Sequence, residues 1–150
     1  MKIAFFGKSR LNRYIHRTMT RAAVAIIHRN KLVLVCQRSK RSRYALKWEF
    51  PGGKLEQGES VLGCLKRELR EELSIGIDGF DHQVTRTNHY DDGGVFEVTY
   101  CFVSRFTGAP KNNVFEDIRW VSLGDLRTMD VLAANKPFID SLGENDLLPA

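Results

Sequence analysis

Glu68, Glu71 and Glu72 fall within five residues of one another, among leucines and basic residues, on a chain whose formal charge is +5. In a helix, spacings of three and four place these carboxylates within an arc of about 100°. Clustered oxygen donors suit a hard divalent cation: Mg2+ takes oxygen ligands, keeps several waters and commonly bridges a few carboxylates to substrate phosphates. The plainer reading is a solvated helix face on which Arg67 and Arg70 neutralise the acids. Like charges at this spacing repel by up to about 0.5 kcal/mol per exposed pair, so a counter-charge is required in either case.

The segment that carries them, Ser60 to Leu73, has no proline and is rich in helix formers, with Glu59 and Ser60 suited to a helix start. Leu62, Leu65, Leu69 and Leu73 form an apolar stripe, and the glutamate arc lies beside it rather than opposite. The acids therefore flank the buried side. Upstream, AAVAII and LVLVC read as two strands around the polar turn HRNK, and the basic stretch QRSKRSRYALK leads into WEF and the breaker Pro51-Gly52-Gly53. Downstream, VTRTNHY and VFEVTYCFV flank Asp91-Asp92-Gly93-Gly94 and should pair antiparallel. A turn at Thr107 to Pro110, a short strand at IRWVSL and helical spacing from Ala133 to Leu142 complete the pattern. This order predicts an α+β domain: a mixed or antiparallel sheet with a central and a C-terminal helix.

With 150 residues and 43% hydrophobic content, the chain can build one core but not two comfortable ones. No apolar run approaches the roughly 18 residues of a membrane span, and a soluble, cytoplasmic protein is expected, as monomer or homodimer. Cys36, Cys64 and Cys101 are odd in number and far apart, which points to buried thiols rather than a disulfide framework or a zinc site. His16, His28, His82 and His89 show no metal-ligand pairing, and no P-loop, Gly-x-Gly-x-x-Gly or Gly-x-Ser-x-Gly sequence occurs. Met1 to Thr20 holds five basic residues and no acid, so this lead supplies the whole excess charge over a formally neutral body from residue 21 to residue 150. Such an arm suits contact with nucleic acid, although short charged termini are more often only solvated.

From Gly53 the chain places Glu59 after five residues and, after seven more, Arg67-Glu68-Leu69-Arg70-Glu71-Glu72-Leu73-Ser74-Ile75. This closely resembles the Nudix box, Gly-x5-Glu-x7-Arg-Glu-U-x-Glu-Glu-x-Gly-U with U aliphatic. One position departs, Ser74 standing where the pattern has Gly. Trp48 to Lys54 resembles the entry to the box in MutT-like members, and Leu132 to Pro137 is similar to their C-terminal region, in which an asparagine reads an oxidised guanine. The similarity covers most of residues 21 to 143 and implies an α/β/α arrangement, a mixed sheet sandwiched by helices.

The resemblance also implies hydrolysis of a nucleoside diphosphate linked to another group, with Mg2+ or Mn2+ as the working ion. Glu68, Glu71 and Glu72 would hold the ion, with the backbone carbonyl of Gly52 as a further ligand. Arg67 would orient a glutamate, and Glu59 would fix the loop over the helix. The general base would be a box glutamate or a later acid, for which Glu116 is preferred over Asp117. Arg38 and Lys54 would contact phosphates, while Phe50 would pack on a nucleobase whose edge Asn135 reads. Near Phe96 the arginine that MutT-like enzymes place beside the base is missing. Nucleoside triphosphate pyrophosphohydrolysis, with 8-oxo-dGTP as first substrate, is the leading expectation. The alternatives are pyrophosphate removal from RNA 5′ ends, suggested by the basic arm, and a non-catalytic nucleotide-binding module.

Overall fold

The computed structural model describes residues 19–149, so the basic lead lies outside the described residues except for Met19 and Thr20. Strand β1 (Thr20–Arg29) turns into β2 (Leu32–Gln37) through Asn30 and Lys31, both at positive φ, as the tight twisted turn between antiparallel strands demands. The two strands stay paired only at His28 with Val33 and Arg29 with Leu32, and then part. β1 continues in register beside β4 (Gly52–Lys54) on one edge and β6 (Val95–Val103) on the other, and β6 pairs with β5 (His82–His89). β2 instead carries β3 (Trp48–Glu49) and β7 (Asp117–Val121). The β1–β6 pair is parallel and the other strand pairs are antiparallel, which makes the sheet mixed.

Alternation along the strands divides the buried side chains into two cores. Ala23, Ala25, Ile27, Leu34, Cys36, Cys101 and Val103 pack with Cys64, Leu65, Leu69 and Leu73 of helix α1 (Val61–Leu73). Ile26, Val33, Val35, Val98, Tyr100 and Phe102 face the other way, onto α2 (Leu123–Thr128) and α3 (Lys136–Ser141). The sheet is thus enclosed by helices on both faces in a single domain. Cys64 joins the buried stripe of α1, while Leu62 is only partly buried. All three cysteines are buried and free. Helix α2 was not anticipated; its sequence signal is Ser122, whose hydroxyl accepts the Asp125 amide at 3.1 Å as an N-cap. Among the described residues no helix is long and apolar enough to cross a membrane.

Ser60 caps the start of α1 by accepting the Gly63 amide at 3.0 Å. At the other end Ser74 adopts the left-handed conformation, φ 55° and ψ 32°, in which glycine is normally found. A serine held there costs about 1 kcal/mol, and a loop contact offsets that cost. The Asn113 side chain donates to the Ser74 hydroxyl at 2.9 Å and to the Glu71 carbonyl at 3.1 Å, while the amides of Lys111 and Asn113 close on the Leu73 and Glu72 carbonyls. The helix exit is therefore made by a serine with an asparagine brace. Asn113→Ala should lower stability by about 1 kcal/mol in a urea titration, since both side-chain bonds are lost while the backbone bonds stay.

Candidate active site

Strand β4 sets the backbone of Gly52 and Gly53 against the acidic edge of α1. The Gly52 amide donates to Glu72 Oε1 at 3.0 Å. A Cβ on Gly53 would stand 2.4 Å from Glu68 Oε1, so the Glu68 carboxylate lies directly against that residue. Burial and the adjacent negative charge of Glu68 push the Glu72 carboxyl well above the ordinary carboxylate range, against the lowering effect of the Gly52 amide. A sheltered Glu72 carboxyl held beside Glu68 calls for a cation. Glu71 is different: its side chain is 61% exposed and lies 3.8 Å from Arg67. Among the described residues no three acidic, histidine or cysteine side chains form a ready-made cage. A hard ion that retains water and takes further oxygens from a phosphate chain needs only a few protein carboxylates, so these residues fit a hard divalent cation.

Arg67 organises this edge. Its guanidinium meets Glu59 in a two-bond fork at 2.9 and 2.8 Å, donates to Glu68 Oε1 at 2.7 Å and reaches the Lys54 carbonyl at 3.2 Å. One arginine thus ties the loop after β4 to the helix and aims Glu68. The same fork lowers the Glu59 carboxyl from 4.5 to about 2. A carboxylate with a depressed folded pKa stabilises above its unfolded value and loses that contribution as pH falls toward the folded one. The protein should therefore lose stability between pH 4.5 and about 2 on account of Glu59, and Glu59→Gln should flatten that acid limb in thermal unfolding followed across pH.

A cleft of about 280 Å3 opens beside the acidic edge, and Gly52 and Gly53 form part of its wall. The sequence-predicted Arg38, Phe50, Lys54 and Asn135 all line it. Phe50 is buried edge-on against Tyr100 and Phe138, at 88° and 87°, so only part of its ring serves the cleft. The Lys54 ammonium sits 5.6 Å from the centre of the Phe96 ring. Arg38 donates to both carboxylate oxygens of Glu49, at 3.2 and 3.0 Å, and to the Arg43 carbonyl at 2.7 Å. Burial raises the Glu49 carboxyl, and Arg38 opposes the rise. Glu49 was not singled out from sequence, although an acid between Trp48 and Phe50 is a visible anomaly in an aromatic run.

Glu116 is engaged away from α1. Its Oε1 accepts the Lys40 amide at 2.9 Å, which holds it to the basic loop after β2. Asp117 is engaged by Arg119 at 2.8 Å. The Gly52 contact seen here is made through its N–H to Glu72. Also unanticipated is a buried polar chain behind the cleft, Asn88 to Tyr100 to Asn135. Its sequence signal is slight, a lone amide in a β-strand pattern.

Comparison with known proteins identifies the family. The model of the NUDIX domain matches residues 18–142. The "8-oxo-dGTP diphosphatase" of Escherichia coli (strain K12) is 32% identical over 121 residues, covering 80% of this chain and 93% of its own. The "CTP pyrophosphohydrolase" of the same strain is 29% identical over 123 residues, covering 82% and 90%. The crystal structure of a MutT NUDIX hydrolase from Burkholderia pseudomallei superposes with a TM-score of 0.70 at 25% identity, over 83% of this chain and 98% of that one. A family match over most of the chain, the spacing of its charged residues and a shared mixed-sheet fold lead to one conclusion: the chain belongs to the NUDIX domain family and is a Nudix hydrolase.

Proposed function

We propose that this chain hydrolyses a nucleoside triphosphate to the monophosphate and pyrophosphate with the help of Mg2+ or Mn2+, and that 8-oxo-dGTP is the first substrate to test. The observation that carries this reading is the shared wall: Gly52 and Gly53 touch the Glu72 and Glu68 carboxylates on one side and line the aromatic and amide cleft on the other. A triphosphate at the carboxylate edge therefore has its base beside Phe50 and Asn135. The names of two relatives, a diphosphatase of an oxidised guanine nucleotide and a pyrophosphohydrolase of CTP, support the substrate class.

In this reading Glu68, Glu71 and Glu72, with the Gly52 carbonyl, would hold a divalent ion, whose chemistry would be to neutralise phosphate charge and to acidify a water. Arg67 keeps Glu68 aimed through a charge-assisted bond and Glu59 keeps Arg67 in place. Arg38 and Lys54 offer positive charge to the phosphates, Arg38 while paired to Glu49. A glutamate of the α1 edge would take the proton of the attacking water; Glu116, held by the Lys40 amide, would do so only after leaving that bond. The test is a nucleotide panel with Mg2+ and Mn2+, scored by pyrophosphate release. Turnover with monophosphate and pyrophosphate in equal amounts supports the reading. Absence of hydrolysis across the panel would leave a binding module in its place.

A further inference from the structure

Behind the cleft lies a polar chain that the chemistry at α1 does not use. Asn88 on β5, Tyr100 on β6 and Asn135 before α3 are 6%, 0% and 6% exposed. Asn88 Nδ2 donates to the Tyr100 hydroxyl at 2.7 Å, and that hydroxyl donates to Asn135 Oδ1 at 3.0 Å. Asn88 Nδ2 also approaches Asn135 Oδ1 directly, at 3.4 Å. Of the three, only Asn135 lines the cleft. A hydroxyl has a single proton, so a chain in which Tyr100 receives from Asn88 can only donate to Asn135. Both lone pairs of the Asn135 oxygen are then addressed from the interior, and its Nδ2 amide is the group left to meet a ligand.

We propose that Asn88 and Tyr100 are positioning residues for base selection, holding Asn135 with its N–H donors toward the cleft so that a base with an oxygen acceptor at position 6 is preferred over one with an amino group there. The inference rests on the nucleotide reading above and refines it. Guanine presents O6 and N7 as acceptors, whereas adenine presents an N6 amino donor where guanine has O6. Donor facing donor in a buried site leaves both unpaired, and sites of this kind reject the wrong partner strongly. Hypoxanthine keeps the 6-oxygen and lacks only the 2-amino group, so it belongs with guanine. Tyr100 suits a test by deletion of one atom, because its ring stacks on Phe138 at 3.7 Å and 11° and a phenylalanine preserves that packing.

The experiment measures equilibrium binding of dGTP, dITP and dATP without divalent ion, in parallel with kcat and KM in its presence. The wild-type chain should favour dGTP and dITP over dATP by about tenfold or more. Tyr100→Phe should reduce that preference about tenfold through Kd and KM, with kcat for dGTP within about twofold of wild type. Asn88→Asp, measured at alkaline pH where the carboxylate is ionised, accepts from Tyr100 and so turns the chain around. Asn135 then donates inward and shows its oxygen to the cleft, and the preference should fall further or invert. Ratios within about twofold of wild type in both variants, even alongside a lowered Tm, would overturn the inference and leave the chain a structural network. A wild-type chain that favours dATP would overturn it as well. Should Tyr100→Phe fail to fold, Asn88→Asp decides alone. Base-selective binding without turnover sinks the hydrolase reading and spares the relay, and turnover without selectivity does the reverse.

Discussion

Glu72→Gln is expected to cut metal-dependent nucleotide turnover by about a thousandfold or more while the protein stays folded. The isosteric amide keeps an oxygen that accepts the Gly52 amide, so the β4 loop remains against the helix. What disappears is a negative charge in a sheltered position beside Glu68. Without it the edge keeps one half-buried carboxylate, Glu68, beside the exposed Glu71. Because the lost charge was itself unfavourable in the ion-free protein, thermal unfolding without metal should occur no earlier than in wild type. Loss of activity with retained Tm is the signature, read by saturating-Mg2+ kinetics beside calorimetry. Glu71→Gln should also be strongly impaired, although that side chain is exposed. Full activity in either variant would mean that the ion is held elsewhere.

Gly52→Ala is expected to act on the fold and the site together. A Cβ there would lie 2.2 Å from the Ala23 carbonyl oxygen and 2.7 Å from the Val24 Cα, both backbone atoms of β1, and the residue sits at φ +147°. A clash with backbone across a paired register cannot be relieved by turning a side chain, so β4 must draw away from β1. The movement would carry off the amide that holds Glu72. A loss of about 3 kcal/mol or more in denaturant unfolding, with little remaining turnover in the folded fraction, is the expected outcome. An alanine variant of wild-type stability would show that the loop accepts a side chain and that the close approach is not required. Gly53→Ala makes a useful contrast, because the added carbon would meet the side-chain carboxylate of Glu68 and not backbone. Its effect should fall on activity more than on stability.

The residues legible from sequence were those whose constraint is local or periodic. Helix α1 followed from its leucine stripe and its Ser60 cap, and the β5–β6 hairpin from two β-rich runs around Asp91 to Gly94. The approach of Gly52 to Glu72 joins residues twenty apart, and only the box spacing hinted at it. Nothing local announced that β1 and β6 would pair in parallel, because partners 76 residues apart meet only once the whole sheet closes. Ser74 departed from the family pattern, and its compensation lies at Asn113, in a loop whose sequence gives no sign of facing a helix end. Glu49 and the Asn88–Tyr100 pair were missed for a related reason. Their role depends on burial and on partners from other strands, and a polar residue in a strand is by default read as facing solvent.

On the proposed function, the carboxylate edge of α1 binds a divalent cation together with a nucleotide. Mn2+ titration followed by electron paramagnetic resonance tests it most directly, since protein-bound ion leaves the free-ion signal. Wild-type protein should deplete that signal, more strongly with nucleotide present, and Glu72→Gln should weaken the depletion about tenfold or more at unchanged Tm. Equal depletion by wild type and by folded Glu72→Gln would contradict the claim and place the cation away from this edge.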